Sequence, residues 1–179
     1  MIALLVKLSS PGPVFHACTR VGLKGEPIRC WKFRTMCTDA EQRLAEVLST
    51  NPSMREEWDR FYKLKDDPRV VPVGRLLRTT SLDEFPQFWN VLCGSLSVVG
   101  PRPVTQDEVD RYYGDKRDKL LSVRPGLTGV WQTSGRSLVS FDERLRLEES
   151  YIDTPPSLAH DLGIILKTVP LLFGAKGAF

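Results

Sequence analysis

The hydrophobic positions of this chain follow two periods. Leu82, Phe85, Trp89 and Leu92 recur at helical spacing, and Phe88 widens the stripe. Ser81 stands ahead of them as an N-cap, and Ser81-x-x-Glu84 has the form of a capping box. The spacing therefore predicts a helix from Leu82 to a stop at Gly94. Pro86 is tolerable that early because first-turn amides lack intrahelical acceptors. Leu96 to Val99 then runs extended into Gly100-Pro101-Arg102-Pro103, where two prolines fix the backbone around one arginine.

Upstream, Val14 to Val21 and Pro27 to Phe33 read as two short strands joined by residues 22–26, a β-hairpin. Thr38 or Asp39 caps a helix to about Ser49, Asn51-Pro52 interrupts it, and a second polar helix follows to about Lys65. Residues 107–122 read as one charged helix. Ser140 and Ser157 cap the last two helices. Leu158, Leu162, Ile165, Leu166, Val169 and Phe173 mark one face of the final helix. That face suits core packing, or a lipid interface helped by Lys167 and Lys176, and spacing does not separate the two. The fold class expected is mixed α/β: a helix-rich single domain around a small antiparallel hairpin, without repeats or low-complexity linkers.

Composition narrows the picture. The chain has 179 residues, enough for one domain with a genuine core. A net charge of +3 suits an anionic substrate or membrane surface and does not indicate nucleic acid, for which no binding module is visible. No Rossmann-type glycine motif occurs. Cys18, Cys30, Cys37 and Cys93 are scattered without zinc-ligand spacing. Cys18 and Cys30 can face each other across the hairpin, which does not by itself imply a disulfide. His16 and His160 lie far apart, and neither has a triad partner in reach of the pattern. Met1 to Leu8 is apolar, but a spanning helix needs roughly 20 such residues.

The candidate chemistry centres on the adjacent acids Asp83 and Glu84, with Arg75 and Arg78 before them and Arg102 after. Carboxylates flanked by guanidinium forks suit a polyanion. A first-turn acid pair also complements a helix dipole, so a cap and a catalytic pair both fit the spacing. Lys32 and Arg34, separated by one residue, point to one side of a strand. The stretch from Arg124 to Arg136 carries three glycines at 126, 129 and 135, with Thr128, Gln132 and Ser134 as neutral hydrogen-bonding groups. Asp66-Asp67-Pro68-Arg69 reads as a turn.

Several runs together carry a resemblance: Arg78-Thr79-Thr80-Ser81-Leu82-Asp83-Glu84-Phe85-Pro86-Gln87, then Trp89-Asn90-Val91-Leu92, then Val99-Gly100-Pro101-Arg102-Pro103. In this order they resemble the bacterial sugar transferase family, the monotopic polyprenyl-phosphate phosphoglycosyl transferases. The likeness runs from Ser10-Pro11-Gly12-Pro13 to about Thr168. It implies a transferase that moves a sugar-1-phosphate from a UDP-sugar to undecaprenyl phosphate, releases UMP, and passes through an aspartyl phosphosugar intermediate. Such a step starts an exopolysaccharide, capsule or O-antigen repeat unit at the cytosolic face of the bacterial inner membrane. By the same resemblance Asp83 is the nucleophile and Glu84 its partner, and Lys32, Arg34, Arg78 and Arg102 neutralise phosphate. Arg124, Gln132 and Arg136 would bind the nucleotide-sugar. Mg²⁺ would sit at Asp83 and Glu84, with Glu148 near it, although a surface glutamate is the plainer reading of Glu148. Many relatives carry Trp then Ala before the glutamine, where this chain has Val130 then Trp131, a difference that bears on sugar choice. Residues 1–9 would be the remnant of an N-terminal membrane-inserting helix and 10–179 the catalytic domain, with homo-oligomerisation left open. Two other readings are a metal-dependent nucleotide-sugar phosphohydrolase and a non-catalytic membrane-associated scaffold.

Overall fold

Met1 to Ser10 form a short helix, α1 (Ile2–Ser9), that stops where Ser10 turns extended ahead of Pro11. The structure, a computed structural model, describes residues 1–61, 64–135 and 139–172. Val6 is the buried residue of α1, while Leu4, Leu5 and Leu8 are exposed.

The predicted hairpin is present. β1 (Phe15–Val21) pairs antiparallel with β2 (Pro27–Phe33), from Phe15 opposite Phe33 to Val21 opposite Pro27. Phe15 and Phe33 stack with ring centroids 5.3 Å apart. Cys18 stands directly opposite Cys30, and both are free thiols.

α2 (Ala40–Thr50) and α3 (Pro52–Phe61) follow the expected break at Asn51-Pro52. The Asp67 turn then leads to α4 (Pro72–Thr79), which starts on a proline whose missing amide costs nothing there. α4 crosses Thr35 so closely that a Cβ on Gly74 would lie 2.0 Å from the Thr35 carbonyl oxygen.

The next segment departs from expectation. Ser81 takes a left-handed conformation, φ +56°, and its side chain makes no capping hydrogen bond. The Ser81 amide donates instead to the Arg78 carbonyl at 3.1 Å. Leu82–Glu84 is a single 3-10 turn, and α5 (Gln87–Leu92) begins only after Pro86. The capping box fails because the Glu84 carboxylate is held by cations from other segments. The apolar stripe also faces outward: Phe85 is 58 % exposed, Trp89 64 % and Leu92 80 %. The buried residues of α5 are the polar Gln87 and Asn90.

β3 (Ser97–Val99) is the expected extended run. The single charged helix of the sequence reading is three pieces: α6 (Gln106–Tyr112), a 3-10 turn at Gly114–Lys116, and α7 (Arg117–Leu120), broken where Gly114 adopts φ +47°. β4 (Gly126–Thr128), read as a loop in sequence, pairs parallel with β3, Ser97 with Gly126 and Val99 with Thr128. A three-residue strand is too short to show alternation. α8 (Val130–Thr133) follows. α9 (Phe141–Asp153) and α10 (Leu158–Thr168) are capped by Ser140 and Ser157 as predicted. Ile164 is the buried residue of α10, whereas Leu158, Leu162 and Leu166 are exposed. Phe173 and Lys176 lie outside the described residues.

The core joins Val21, Val104, Val109, Tyr113, Leu120 and Leu145, so the hairpin end, α6, α7 and α9 share one apolar cluster. Among the described residues no helix is long and apolar enough to cross a membrane.

Candidate active site

Three segments converge on the acid pair. The 3-10 turn after α4 presents Asp83 and Glu84. β2 brings Lys32, whose Nζ donates to Glu84 Oε1 at 2.6 Å. The loop after β3 brings Arg102, whose Nη2 lies 3.7 Å from the same oxygen. The last turn of α4 adds Arg78, which donates from Nε to the Thr35 hydroxyl at 3.0 Å.

Asn90 locks the turn to the hairpin. Its amide donates to the Arg29 carbonyl at 2.7 Å and to the Ser95 hydroxyl at 3.1 Å, and its oxygen accepts from the Trp31 amide at 3.2 Å. The Arg102 loop is held on two sides. The Val21 amide donates to the Val104 carbonyl at 2.8 Å, and the Gly126 amide donates to Pro101 at 2.8 Å. The second contact needs glycine: a Cβ at 126 would lie 2.2 Å from the Gly100 nitrogen. The Arg102 guanidinium also sits 5.6 Å from the centre of the Trp131 ring.

Between these segments lies a narrow cleft of about 10 Å³, lined by Arg20, Lys32, Glu84, Gln87 and Arg102 among others. That is far below the roughly 300–1,000 Å³ of pockets that engulf a drug-sized ligand. A larger cavity lies elsewhere, beside Ser10, Asp39, Arg43 and Arg69. There Arg43 pairs with Asp39 and Arg69 with Asp67, so its arginines are already neutralised.

Asp83 is only 8 % exposed. Burial pushes its carboxyl above the usual range; Lys32 and Arg78 oppose the rise, and Glu84 adds to it. Burial likewise draws the Arg78 guanidinium down, with Asp83 the first charge to oppose this. Cys30 also lines the cleft, but burial pushes its thiol up to about 11, so it stays protonated and is no rival nucleophile at neutral pH.

Of the residues singled out by sequence, Asp83, Glu84, Lys32, Arg78 and Arg102 are brought together. Arg34 is not. Its two terminal nitrogens donate to the Pro11 carbonyl at 2.5 Å and the Ser10 carbonyl at 2.7 Å, which secures the end of α1. β2 ends at Phe33, so strand alternation does not carry Arg34 onto the face of Lys32. Glu148 is not a surface residue, and among the described residues it belongs to no metal-holding acid cluster. It is 2 % exposed, and its Oε1 accepts from the Arg102 amide at 3.1 Å and from Arg144 Nε at 3.2 Å. Burial raises its carboxyl and Arg144 opposes that. Glu148 thus supports the Arg102 backbone from behind. Gln132 is buried on α8, and its side-chain amide has no hydrogen-bond partner among the described residues. Arg124 and Arg75 are exposed. Arg136 lies outside the described residues.

Sequence reasoning missed Arg20, Gln87 and Asn90. Arg20 had a readable signal, since it shares a strand face with Cys18. Gln87 and Asn90 had none, because a polar residue on an apolar-striped helix reads as the solvent side.

Among the described residues no group of three or more His, Cys, Asp or Glu side chains is placed to hold a metal. Glu148 is committed to Arg102 and Arg144. That leaves the two carboxylates of the turn, a donor set that suits Mg²⁺ retaining waters and taking phosphate oxygens, not an all-protein cage.

A family model described as bacterial sugar transferase matches residues 1–175. The whole chain is 42 % identical to the undecaprenyl-phosphate galactose phosphotransferase of Salmonella typhimurium and spans 37 % of that protein. It is 44 % identical over 179 residues to the exopolysaccharide production protein ExoY of Rhizobium meliloti, covering 78 % of it. With the UDP-glucose:undecaprenyl-phosphate glucose-1-phosphate transferase of Escherichia coli it shares 38 % identity, over 99 % of this chain and 36 % of that one. It therefore spans little more than a third of the Salmonella and Escherichia relatives. Likeness across so much of the chain, together with an acid pair met by Lys32, Arg78 and Arg102, places this protein in the bacterial sugar transferase family.

Proposed function

We propose that this chain carries out phosphoglycosyl transfer, moving a sugar-1-phosphate from a UDP-sugar to a polyprenyl phosphate and releasing UMP. The observation that carries the reading is a buried carboxylate, Asp83, faced by the charges of Lys32 and Arg78 and adjacent to Glu84, which lines a cleft with Lys32 and Arg102. Both substrates are phosphate anions, so direct attack of one on the other meets charge repulsion. A carboxylate nucleophile divides the exchange into two steps. An Asp83 oxygen bonds to the sugar-bearing phosphorus, and the bond from that phosphorus to the bridging oxygen breaks, its electron pair leaving on UMP. A phosphate oxygen of the lipid then attacks the same phosphorus and frees the Asp83 carboxylate.

Lys32 and Arg102 restrain Glu84 beside the nucleophile, and Arg78 faces the charge of Asp83 from α4. Burial leaves little water around Asp83, which favours transfer over hydrolysis. Mg²⁺, held by Asp83 and Glu84 together with phosphate oxygens, would offset charge on the diphosphate. Arg124, two residues before the cleft-lining Gly126, and Gln132 of the helix that follows are proposed for the nucleotide-sugar.

The acceptor is a lipid, and the surface beside the acids suits one. Leu82, Phe85, Phe88, Trp89 and Leu92 are all exposed next to the turn that bears Asp83. Such a face favours a membrane-borne acceptor over water, and we place it against the cytosolic leaflet of the inner membrane. The names of the relatives point to galactose or glucose as the sugar, and to exopolysaccharide or a related surface glycan as the destination.

The test is UMP release from UDP-galactose and UDP-glucose with and without undecaprenyl phosphate. Acceptor-dependent turnover with ping-pong kinetics, and a sugar-phosphate mass adduct on Asp83 when acceptor is withheld, are expected. Equal UMP release without acceptor would mean hydrolysis, and no release from any UDP-sugar would mean a scaffold.

A further inference from the structure

Arg20 is the cation of the cleft that the scheme above leaves without a task. It stands on β1 opposite Ile28, one rung beyond His16–Lys32 and Cys18–Cys30 counted in steps of two residues. Opposed residues share a sheet face, so Arg20, Cys30 and Lys32 lie along one side of the hairpin. Arg20 and Lys32 are about 14 Å apart along the strands, at about 3.4 Å per residue. Both are long, both line the cleft, and the small Cys30 lies between them. The adjoining residue, Val21, is hydrogen-bonded to Val104, so Arg20 also stands beside the loop of Arg102.

Among the described residues the cleft is lined by the cations Arg20, Lys32 and Arg102 and the carboxylate Glu84. Lys32 and Arg102 both approach Glu84. Among the described residues no ion pair holds Arg20. A guanidinium in a cleft, without a carboxylate of its own, is available to an anion from outside.

We propose that Arg20 is a substrate-binding residue that grips the phosphate departing with the nucleoside. This rests on the phosphoglycosyl-transfer reading. When the bond to the bridging oxygen breaks, that oxygen keeps the electron pair and the departing phosphate gains one negative charge. No proton or further reactant is needed. A guanidinium aimed there is worth more as the charge develops than in the ground state. Lys32 and Arg102, occupied with Glu84, are less free to meet it.

The experiment separates the two half-reactions in the full chain. Exchange of labelled UMP into UDP-galactose or UDP-glucose, without acceptor, reads the first. Transfer from the isolated adduct to undecaprenyl phosphate reads the second. Arg20→Gln is expected to slow UMP exchange by a factor of about 30 or more and to raise the donor KM, from the size of such desolvated charge contacts. The second half-reaction should stay within about threefold of wild type, because its phosphate has no nucleoside partner. Arg20→Lys should recover part of the exchange, and Arg29→Gln, on the exposed part of the same hairpin, should behave as wild type. If Arg20→Gln does not fold, Arg20→Lys carries the same comparison. Unchanged exchange in a folded Arg20→Gln, or an equal fall in both halves, overturns the assignment. If wild type exchanges no UMP with either sugar, the transfer reading falls first, and that result is distinct from a failure of Arg20 alone.

Discussion

Asp83 holds its carboxyl where burial makes the charge costly, and a residue so placed lowers stability in order to react. Asp83→Asn is therefore expected to abolish UMP release while melting at or above the wild-type temperature. A variant melting several degrees lower would mean that the carboxylate is structural. Asp67 shows the opposite balance. Burial pushes its carboxyl up, but hydrogen bonds from the Arg69 guanidinium and amide outweigh this and leave it below the usual range. A folded value below the unfolded one gives stability that is present above the unfolded pKa, near 3.9, and is lost as pH falls through the folded one. Asp67→Asn should consequently flatten the stability loss below about pH 4 in a pH series of urea melts. A steeper loss in the variant would contradict the direction of the shift.

At the scale of elements, α5 is the informative case. Its spacing announced a helix, and a helix is present, but its buried side is the polar one. Asn90 explains this, because backbone groups of Arg29 and Trp31 and the Ser95 hydroxyl all need its amide. At about 1 kcal/mol net per hydrogen bond, with buried groups left unpaired in addition, Asn90→Ala should cost about 3 kcal/mol. Equilibrium urea unfolding measures this, and a loss below about 1 kcal/mol would remove Asn90 as the link between α5 and the hairpin. Periodicity reports that one face of a helix is apolar; it does not report what that face meets.

The whole molecule places its exposed apolar side chains on a few elements. Leu4 and Leu8 of α1, Leu76 of α4 and the outward face of α5 are exposed; α1 packs on α4, and α4 on the turn of Asp83. If that face meets lipid, Trp89→Glu with Leu92→Glu should sharply reduce co-sedimentation with anionic vesicles. The melting temperature should change little, since both side chains are already in solvent. Undiminished vesicle binding would assign the face to another occupant. Much of the site was legible because its parts are local: Asp83 and Glu84 are neighbours, and Arg102 sits between two prolines. The roles of Arg34 and Glu148 were not legible, since one depends on where β2 ends and the other on burial beneath Arg102.

By itself the sequence determined the hairpin, the serine caps of α9 and α10, the broken helices α2 and α3, and an acid pair among arginines. Each follows from steric and hydrogen-bonding preferences acting over a few residues. Tertiary structure alone decided that β3 would pair with β4, which brings the proline-flanked arginine beside the glycine-rich stretch. It also decided that Glu84 would meet Lys32 rather than close a cap, and that α5 would turn its apolar side outward. Those outcomes depend on partners distant in the chain, and local preference carries no information about which distant group a side chain will find.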